Sequence, residues 1–218
     1  MNFGPVHVIP DHISYEEAAL AEPLGCVLNA LELSRIKLGD TVVIIGAGPV
    51  GIMIIEVARR MRAKMIIVVQ LSRPRLEIAK KFGANVYICS SEENAVERVL
   101  EETGGLGADV VITANPSPEA QVDAINMAKN RARVNLFGGL PSDRSLVTLD
   151  TNIIHYKELF VHGAHGAMPV HHGMAVDLIA AGVIDTKQYI THRFVLNDIH
   201  KAFQTAESHE GLRVIVNP

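Results

Sequence analysis

The sequence has no tryptophan and only two cysteines among its 218 residues, Cys26 and Cys89. Both sit in apolar surroundings, far apart. That pattern excludes a disulfide framework and a zinc finger, and fits two small core residues in a reducing compartment. There is no long basic run, and the formal charge is −4, which argues against nucleic acid or an anionic membrane surface as a partner. The longest apolar run, Val42 to Ile55, is interrupted by glycines and is too short to cross a bilayer. The opening stretch "MNFGPVHVIP" lacks a basic segment followed by an apolar one, so it does not read as a secretory signal. A cytoplasmic protein is the expectation. Hydrophobic residues make up 48% of the chain and charged residues 20%, a mixture that argues against disorder, and 218 residues leave room for one large domain or for one domain with a smaller appendage.

What the chain does have is a regular alternation. Short, almost wholly apolar runs, "TVVII", "KMIIVV", "NVYI", "ADVVIT", "ARVNLFGG" and "ELFVHGA", read as six strands. Helical stretches separate them: Val50 to Met61, "SRPRLEIAKKFG" between a Ser72 N-cap and a Gly83 C-cap, the acidic "SEENAVERVLEETGG", and Pro118 to Lys129. Two helices precede the first strand, one opened by Ser14 and Glu17 at capping-box spacing and one starting at Pro23. Another runs from His171 to Ala181. Apolar strands separated by helices predict an α/β fold, a doubly wound parallel sheet of six strands covered on both faces, the Rossmann arrangement. The closing "ITHRFVLNDIHKAFQTAESHEGLRVIVNP" reads strand, helix, strand and falls outside that alternation, which assigns it to another layer or domain.

Between the first strand and its helix stands "IIGAGPVG". Gly46, Gly48 and Gly51 have G-x-G-x-x-G spacing directly after a strand and at a helix start, the context that turns a weak motif into a dinucleotide site. Gly46 permits the tight turn, Gly48 lets the backbone approach a pyrophosphate, and Gly51 lets the helix pack on its strand. Pro49 and Val50 complete the turn, and the helix start offers free N–H groups to the phosphates. About 20 residues further on, an acid is expected for the adenosine ribose. Gln70 stands there instead, with Ser72 and Arg73 just beyond. Glutamine does not repel a 2′-phosphate, and the serine and arginine can donate to one, which favours NADP or dual use. The alternative keeps Arg73 and Arg75 as solvent-facing residues of a helix start.

These stretches, with "SYEEAALAEPL", "RLEIAKKFGA", "GGLGADVVI", "FGGLP" and "HYKELFVHGAHG", run in order over nearly the whole chain. Together they resemble the nucleotide-binding part of the medium-chain zinc-dependent alcohol dehydrogenases, in the sorbitol and polyol dehydrogenase branch. The resemblance implies a linker and helix over 1–22, a dinucleotide-binding domain over 23–188, and a return segment of the catalytic domain over 189–218. It implies cofactor contacts from Ala114 and Asn115, from Phe137, Gly138, Gly139 and Leu140, and from Gly163, Ala164 and His165. It also puts Glu22 where the branch keeps a glutamate at the catalytic zinc. An acidic N-cap for a helix with Pro23 in its first turn is the competing reading for Glu22.

A catalytic zinc needs three protein ligands and an open position. No G-H-E motif and no four-cysteine lobe occur, so the expectation is a chain that starts at the linker and does not itself bind the family's zinc. His162, His165, His171 and His172 cluster in "HGAHGAMPVHHG", but their spacing matches no closed metal site, and at most adventitious affinity is expected. The resemblance implies hydride transfer between NAD(P) and a secondary alcohol, with no proton-transfer residue assigned. A non-catalytic pyridine-nucleotide module, or one subunit of a split dehydrogenase, is the alternative. The expected association is a homodimer, or pairing with a zinc-domain chain.

Overall fold

In the computed structural model, which describes residues 6–218, the six predicted strands form one all-parallel sheet. Residues 1–5, half of the stretch read as lacking a signal, lie outside the described residues. The elements run α1 (Tyr15–Ala18), α2 (Ala21–Ser34), β1 (Thr41–Ile45), α3 (Pro49–Arg60), β2 (Met65–Gln70), α4 (Arg73–Ala79), β3 (Val86–Cys89), α5 (Ala95–Glu102), β4 (Ala108–Thr113), α6 (Pro118–Met127) and β5 (Ala128–Leu136). They continue with α7 (Thr151–Tyr156), β6 (Phe160–Gly163), α8 (Pro169–Ala180), β7 (Ile190–Val195), α9 (Ile199–Glu207) and β8 (Arg213–Asn217). The strand order is β3-β2-β1-β4-β5-β6, and the order reverses between β1 and β4. That is the point at which an open parallel sheet leaves a crevice beyond the carboxyl ends of its strands.

The apolar runs become central strands because both faces are covered. All five residues of β1 are buried, as are the four middle residues of β2. Val43, Ile45, Ile67, Val69, Ile88 and Val111 belong to one core cluster with Ala124, Ile125 and Met127 of α6. Burial of such side chains, about 1.5–3 kcal/mol each, is the main stabilising term. Asn135 of β5 fastens the second half of α2, donating to the Ala30 carbonyl and to Ser34 Oγ, each at 2.9 Å.

Two compact units result, Val27–Gly166 and the residues up to Cys26 together with Ala167–Pro218. In the second unit β7 and β8 pair in a two-stranded sheet of their own, as the irregular closing segment led us to expect. Glu16 of α1 accepts from Arg193 Nε and Asn217 Nδ2, both at 2.8 Å, which ties α1 to both of these strands.

Several boundaries differ from the sequence reading, for local reasons. The capping box at Ser14 and Glu17 is present, but α1 closes after four residues. Helix α2 begins at Ala21 and α8 at Pro169, two residues before the starts read from Pro23 and His171. Helix α6 stops at Met127, not Lys129, and the polar "KNRAR" runs on as the start of β5. The register of β4 against β5 shifts between Ala108 and Val110. Ser72 stands at the N-cap of α4 without a side-chain cap bond, whereas Gly83 closes the following turn with a left-handed φ of 80°. Among the described residues no helix is long and apolar enough to cross a membrane.

Candidate functional site

Three loops meet at the carboxyl ends of the central strands. The backbone stitches them together: Gly46 N donates to the Val69 carbonyl at 2.8 Å, Ala114 N to Ile45 at 2.7 Å, and Gly138 N to Thr113 at 2.7 Å. The turn after β1 is thereby bonded to β2, the loop after β4 to β1, and the loop after β5 to β4. These bonds use backbone groups one or two residues beyond each strand, where they would otherwise need water or ligand.

The three glycines of the turn divide into two kinds. Gly46 has φ 116°, and a Cβ there would lie 2.8 Å from the Ala114 carbonyl oxygen. At Gly51 a Cβ would collide with the carbonyl oxygen of Gly46. Packing within the protein accounts for both. Gly48 differs: its φ of −72° and ψ of 179° suit any residue, and a Cβ there would have no protein atom within 4 Å. It is the N-cap of α3, has no side chain to cap with, and is followed by Pro49 in the first turn with Val50 behind it. The early N–H groups of the helix are not capped by any side chain of the turn. Gly139 likewise faces open space, whereas a Cβ at Gly138 would strike the Asn115 backbone.

Polar atoms at this end are incompletely paired. Thr113 Oγ1, at the last residue of β4, and Asn115 Oδ1 are buried with no hydrogen-bond partner. Buried polar groups are nearly always satisfied, so such orphans call for a reason. Ala114 and Asn115 adjoin Gly46, and Asn115 adjoins Gly138, so the glycine turn and the loops after β4 and β5 form one contiguous rim. Phe137 follows β5 directly on that rim. Gly163 ends β6, with Ala164 and His165 just beyond it.

Gln70 closes β2, and its Oε1 accepts a hydrogen bond from Ala47 N at 2.8 Å. The side chain therefore braces the glycine turn through its carbonyl oxygen and keeps its amide nitrogen for other partners. Arg73, which the sequence offers as a free donor, is engaged. Its guanidinium forks onto Glu92, with Nε 3.0 Å from Oε1 and Nη2 against Oε2. Arg75 is partly buried, which pulls its pKa down, and it too has a partner. Sequence reasoning missed Glu92 and Thr113: the first stands 19 residues from its partner inside an acidic segment, and the second is an ordinary strand residue until its hydroxyl is found unpaired.

In the second unit, Glu22 is inside the first turn of α2 rather than at its cap, and its Oε1 accepts from Cys26 Sγ at 3.6 Å. Burial, with the Glu22 charge adding to it, pushes the Cys26 thiol pKa up, away from the thiolate that a metal requires. Among the described residues no group of three His, Cys, Asp or Glu side chains could hold a metal ion. His171 Nδ1 accepts from Met168 N at 3.1 Å at the start of α8, and His172 packs on Gly25. His162 lines a hollow of about 640 Å³ along β6, with Leu33, Lys37, Arg133 and Gly163. Burial, then the nearby Arg35 charge, lowers its pKa against an opposing backbone hydrogen bond.

Comparison with known proteins agrees with this geometry. Residues 49–181, more than half the chain, match the family model described as zinc-binding dehydrogenase. Over 216 residues the chain is 32% identical to the D-arabitol-phosphate dehydrogenase of Enterococcus avium, covering 97% of this chain and 60% of that protein. It is 33% identical to the sorbitol dehydrogenase of Bacillus subtilis, with 98% and 60% covered. A crystal structure of a zinc-binding dehydrogenase from Sinorhizobium meliloti bound to NADP superposes with a TM-score of 0.90 at 29% identity, covering 96% of this chain and 61% of that one. The chain thus spans about 60% of the length of the curated relatives it matches. With the strand order, the glycine turn and these likenesses in agreement, the chain belongs to the zinc-binding dehydrogenase family.

Proposed function

We propose that this chain is the dinucleotide-binding part of an NAD(P)-dependent oxidoreductase that moves hydride between the nicotinamide and a secondary alcohol, a polyol or sugar alcohol. One observation carries the reading. Gly46 and Gly51 lack side chains for reasons internal to the protein, but Gly48 lacks one with nothing nearby to forbid it. A pyrophosphate approaching the start of α3 supplies the missing reason, with the helix N–H groups and dipole as its partners. The unpaired Thr113 Oγ1 and Asn115 Oδ1 support a polar ligand on the same rim.

In this reading Gly46, Gly48, Pro49, Val50 and Gly51 hold the pyrophosphate. Gln70, Ser72 and Arg73 lie on the adenosine side, and Ala114 and Asn115 border the ribose. Phe137, Gly138, Gly139, Gly163, Ala164 and His165 shape the nicotinamide end. When bound, the nicotinamide supplies the hydride acceptor or donor, and the residues here orient it and exclude water. The polyol class rests on the named activities of the relatives. Glu22 would supply at most one ligand to the zinc of this family, since among the described residues it belongs to no group of three metal-binding side chains, and no step is assigned to zinc on these residues.

Two further assignments belong to the same reading. The free Cys26 and Cys89 support a cytoplasmic protein. β6 is one of the two outer strands of the six-stranded sheet, and Phe160 on it is exposed, which supports a homodimer formed by pairing this edge with its copy.

Titration of the folded chain with NADH and NADPH, read by nicotinamide fluorescence, tests the proposal, and the absence of tryptophan keeps that signal clean. Saturable enhancement with either dinucleotide is the expected result. A folded chain that enhances neither would overturn the proposal.

A further inference from the structure

The pairing of Arg73 bears on which dinucleotide the site prefers. Gln70 and Cys89 are register partners at the carboxyl ends of β2 and β3, and Ser90 N donates to the Gln70 carbonyl at 3.0 Å. The chain then turns, with Glu92 N bonded to the Cys89 carbonyl at 2.9 Å. That turn carries the Glu92 carboxylate to the side chain of Arg73, the first residue of α4, three residues past Gln70. Both oxygens of Glu92 are used, one on Nε and the other on Nη2, so one bidentate edge of the guanidinium is taken and its charge is partly neutralised. Gln70 Oε1 accepts from Ala47 N, which leaves the amide nitrogen as the one donor of this side chain, a neutral group that binds a phosphate far more weakly than a guanidinium.

We infer that Glu92 is a specificity-determining residue: by occupying Arg73 it withholds the guanidinium from a 2′-phosphate and holds NADPH and NADH close in affinity. The inference rests on the dinucleotide reading above. Without an acid at position 70, nothing there repels a 2′-phosphate. With Arg73 occupied and a carboxylate beside it, nothing there strongly attracts one either. About half of each side chain is exposed, at 52% for Arg73 and 47% for Glu92, so the pair is a restraint that competes with the phosphate rather than a permanent closure. Removing the carboxylate frees the fork and takes away a negative charge in one step. A ribose that carries only hydroxyl groups gains nothing comparable.

Glu92→Gln keeps the side-chain volume and the backbone turn, and lies on an exposed loop, so the fold is retained. Fluorescence titration of NADPH and NADH against wild type, Glu92→Gln and the Arg73→Gln/Glu92→Gln double variant provides the test. The expected result is NADPH binding tighter by about fivefold or more in Glu92→Gln, NADH within about twofold, and loss of the gain in the double variant. The gain should also shrink as salt is raised. Binding of both dinucleotides with an unchanged NADPH to NADH ratio in Glu92→Gln would overturn the inference and leave the dinucleotide reading standing. An equal change for both would overturn it in the same way. A folded wild type and variant that bind neither dinucleotide would overturn the underlying reading, and the inference with it.

Discussion

The two ends of the parallel sheet are built on opposite plans. At the amino ends, side chains close the strands off. Asp40 accepts from Lys37 N at 2.8 Å and from Arg133 Nη2 at 2.6 Å. Asp109 accepts from Thr41 N at 2.9 Å and pairs with Lys129, and Asn85 Oδ1 accepts from Ile66 N at 2.7 Å. At the carboxyl ends of β1, β4 and β5 the loops are held mainly by backbone bonds, with Gln70 as a side-chain brace, and Thr113 and Asn115 keep polar atoms unpaired. The amino end places its charges on holding strands together; the carboxyl end keeps open space at Gly48 and Gly139. On the dinucleotide reading proposed above, stability rests on the amino-end ion pairs and the tightly packed glycines and binding on the open positions, so substitutions should separate them.

The largest effect should come where the carboxyl end is most crowded. Gly51→Ala drives a methyl group into the Gly46 carbonyl, a backbone collision expected to cost roughly 3 kcal/mol or more, read as a lowered urea midpoint. At the amino end, Asp40→Ala leaves Arg133, only 14% exposed, without its carboxylate. A loss of about 2–3 kcal/mol is expected in the same measurement, with dinucleotide affinity unchanged in the folded fraction. If Asp40→Ala weakened binding while sparing stability, the division between the two ends would fail.

Gly48→Ala should do the reverse of Asp40→Ala. Its backbone angles suit alanine and no protein atom is near, so stability should stay within about 0.5 kcal/mol. NADH binding should weaken by about tenfold or more, near 1.4 kcal/mol, in a fluorescence titration. Unchanged affinity in Gly48→Ala would remove the main support for a pyrophosphate at this turn.

The smallest effect is one of pH. Burial works against the Asp109 carboxylate, but Lys129, the Thr41 N–H and Arg133 together hold its pKa below the ordinary value. A folded-state pKa below the unfolded one contributes stability that is present above the unfolded value and lost as pH falls through the folded one. Lys129→Met should therefore flatten the fall in unfolding free energy below about pH 4, in urea titrations run against wild type.

The central sheet and the glycine turn are legible in the sequence because β1, β2 and β4 are nearly continuous apolar runs and the three glycines stand at fixed spacing directly after the first of them. The legibility ends where polar residues enter regular structure. "KNRAR" is strand although Lys129 to Arg131 lie at its accessible end, and α7 is a six-residue helix capped by Asp150 with no buried residue to give it an apolar period. Site residues follow the same division. Gly46, Gly48 and Gly51 announce themselves by spacing. The Gln70 bond to Ala47 and the Arg73 pairing with Glu92 join residues 23 and 19 positions apart, and only the register of β2 against β3 and against β1 brings them together.

On the dinucleotide reading, the backbone stitches from Gly46 to Val69, Ala114 to Ile45 and Gly138 to Thr113 bear on how quickly a ligand would be taken up. A rim already fastened in this way has little ordering left to do when a dinucleotide arrives, so the entropic toll of fixing loops is settled during folding. Association should then run at a rate set by encounter and orientation rather than by rearrangement of the protein, rising linearly with dinucleotide concentration in a stopped-flow trace. The glycine turn, so often described as a place of freedom in a chain, is here a place where the waiting has already been done.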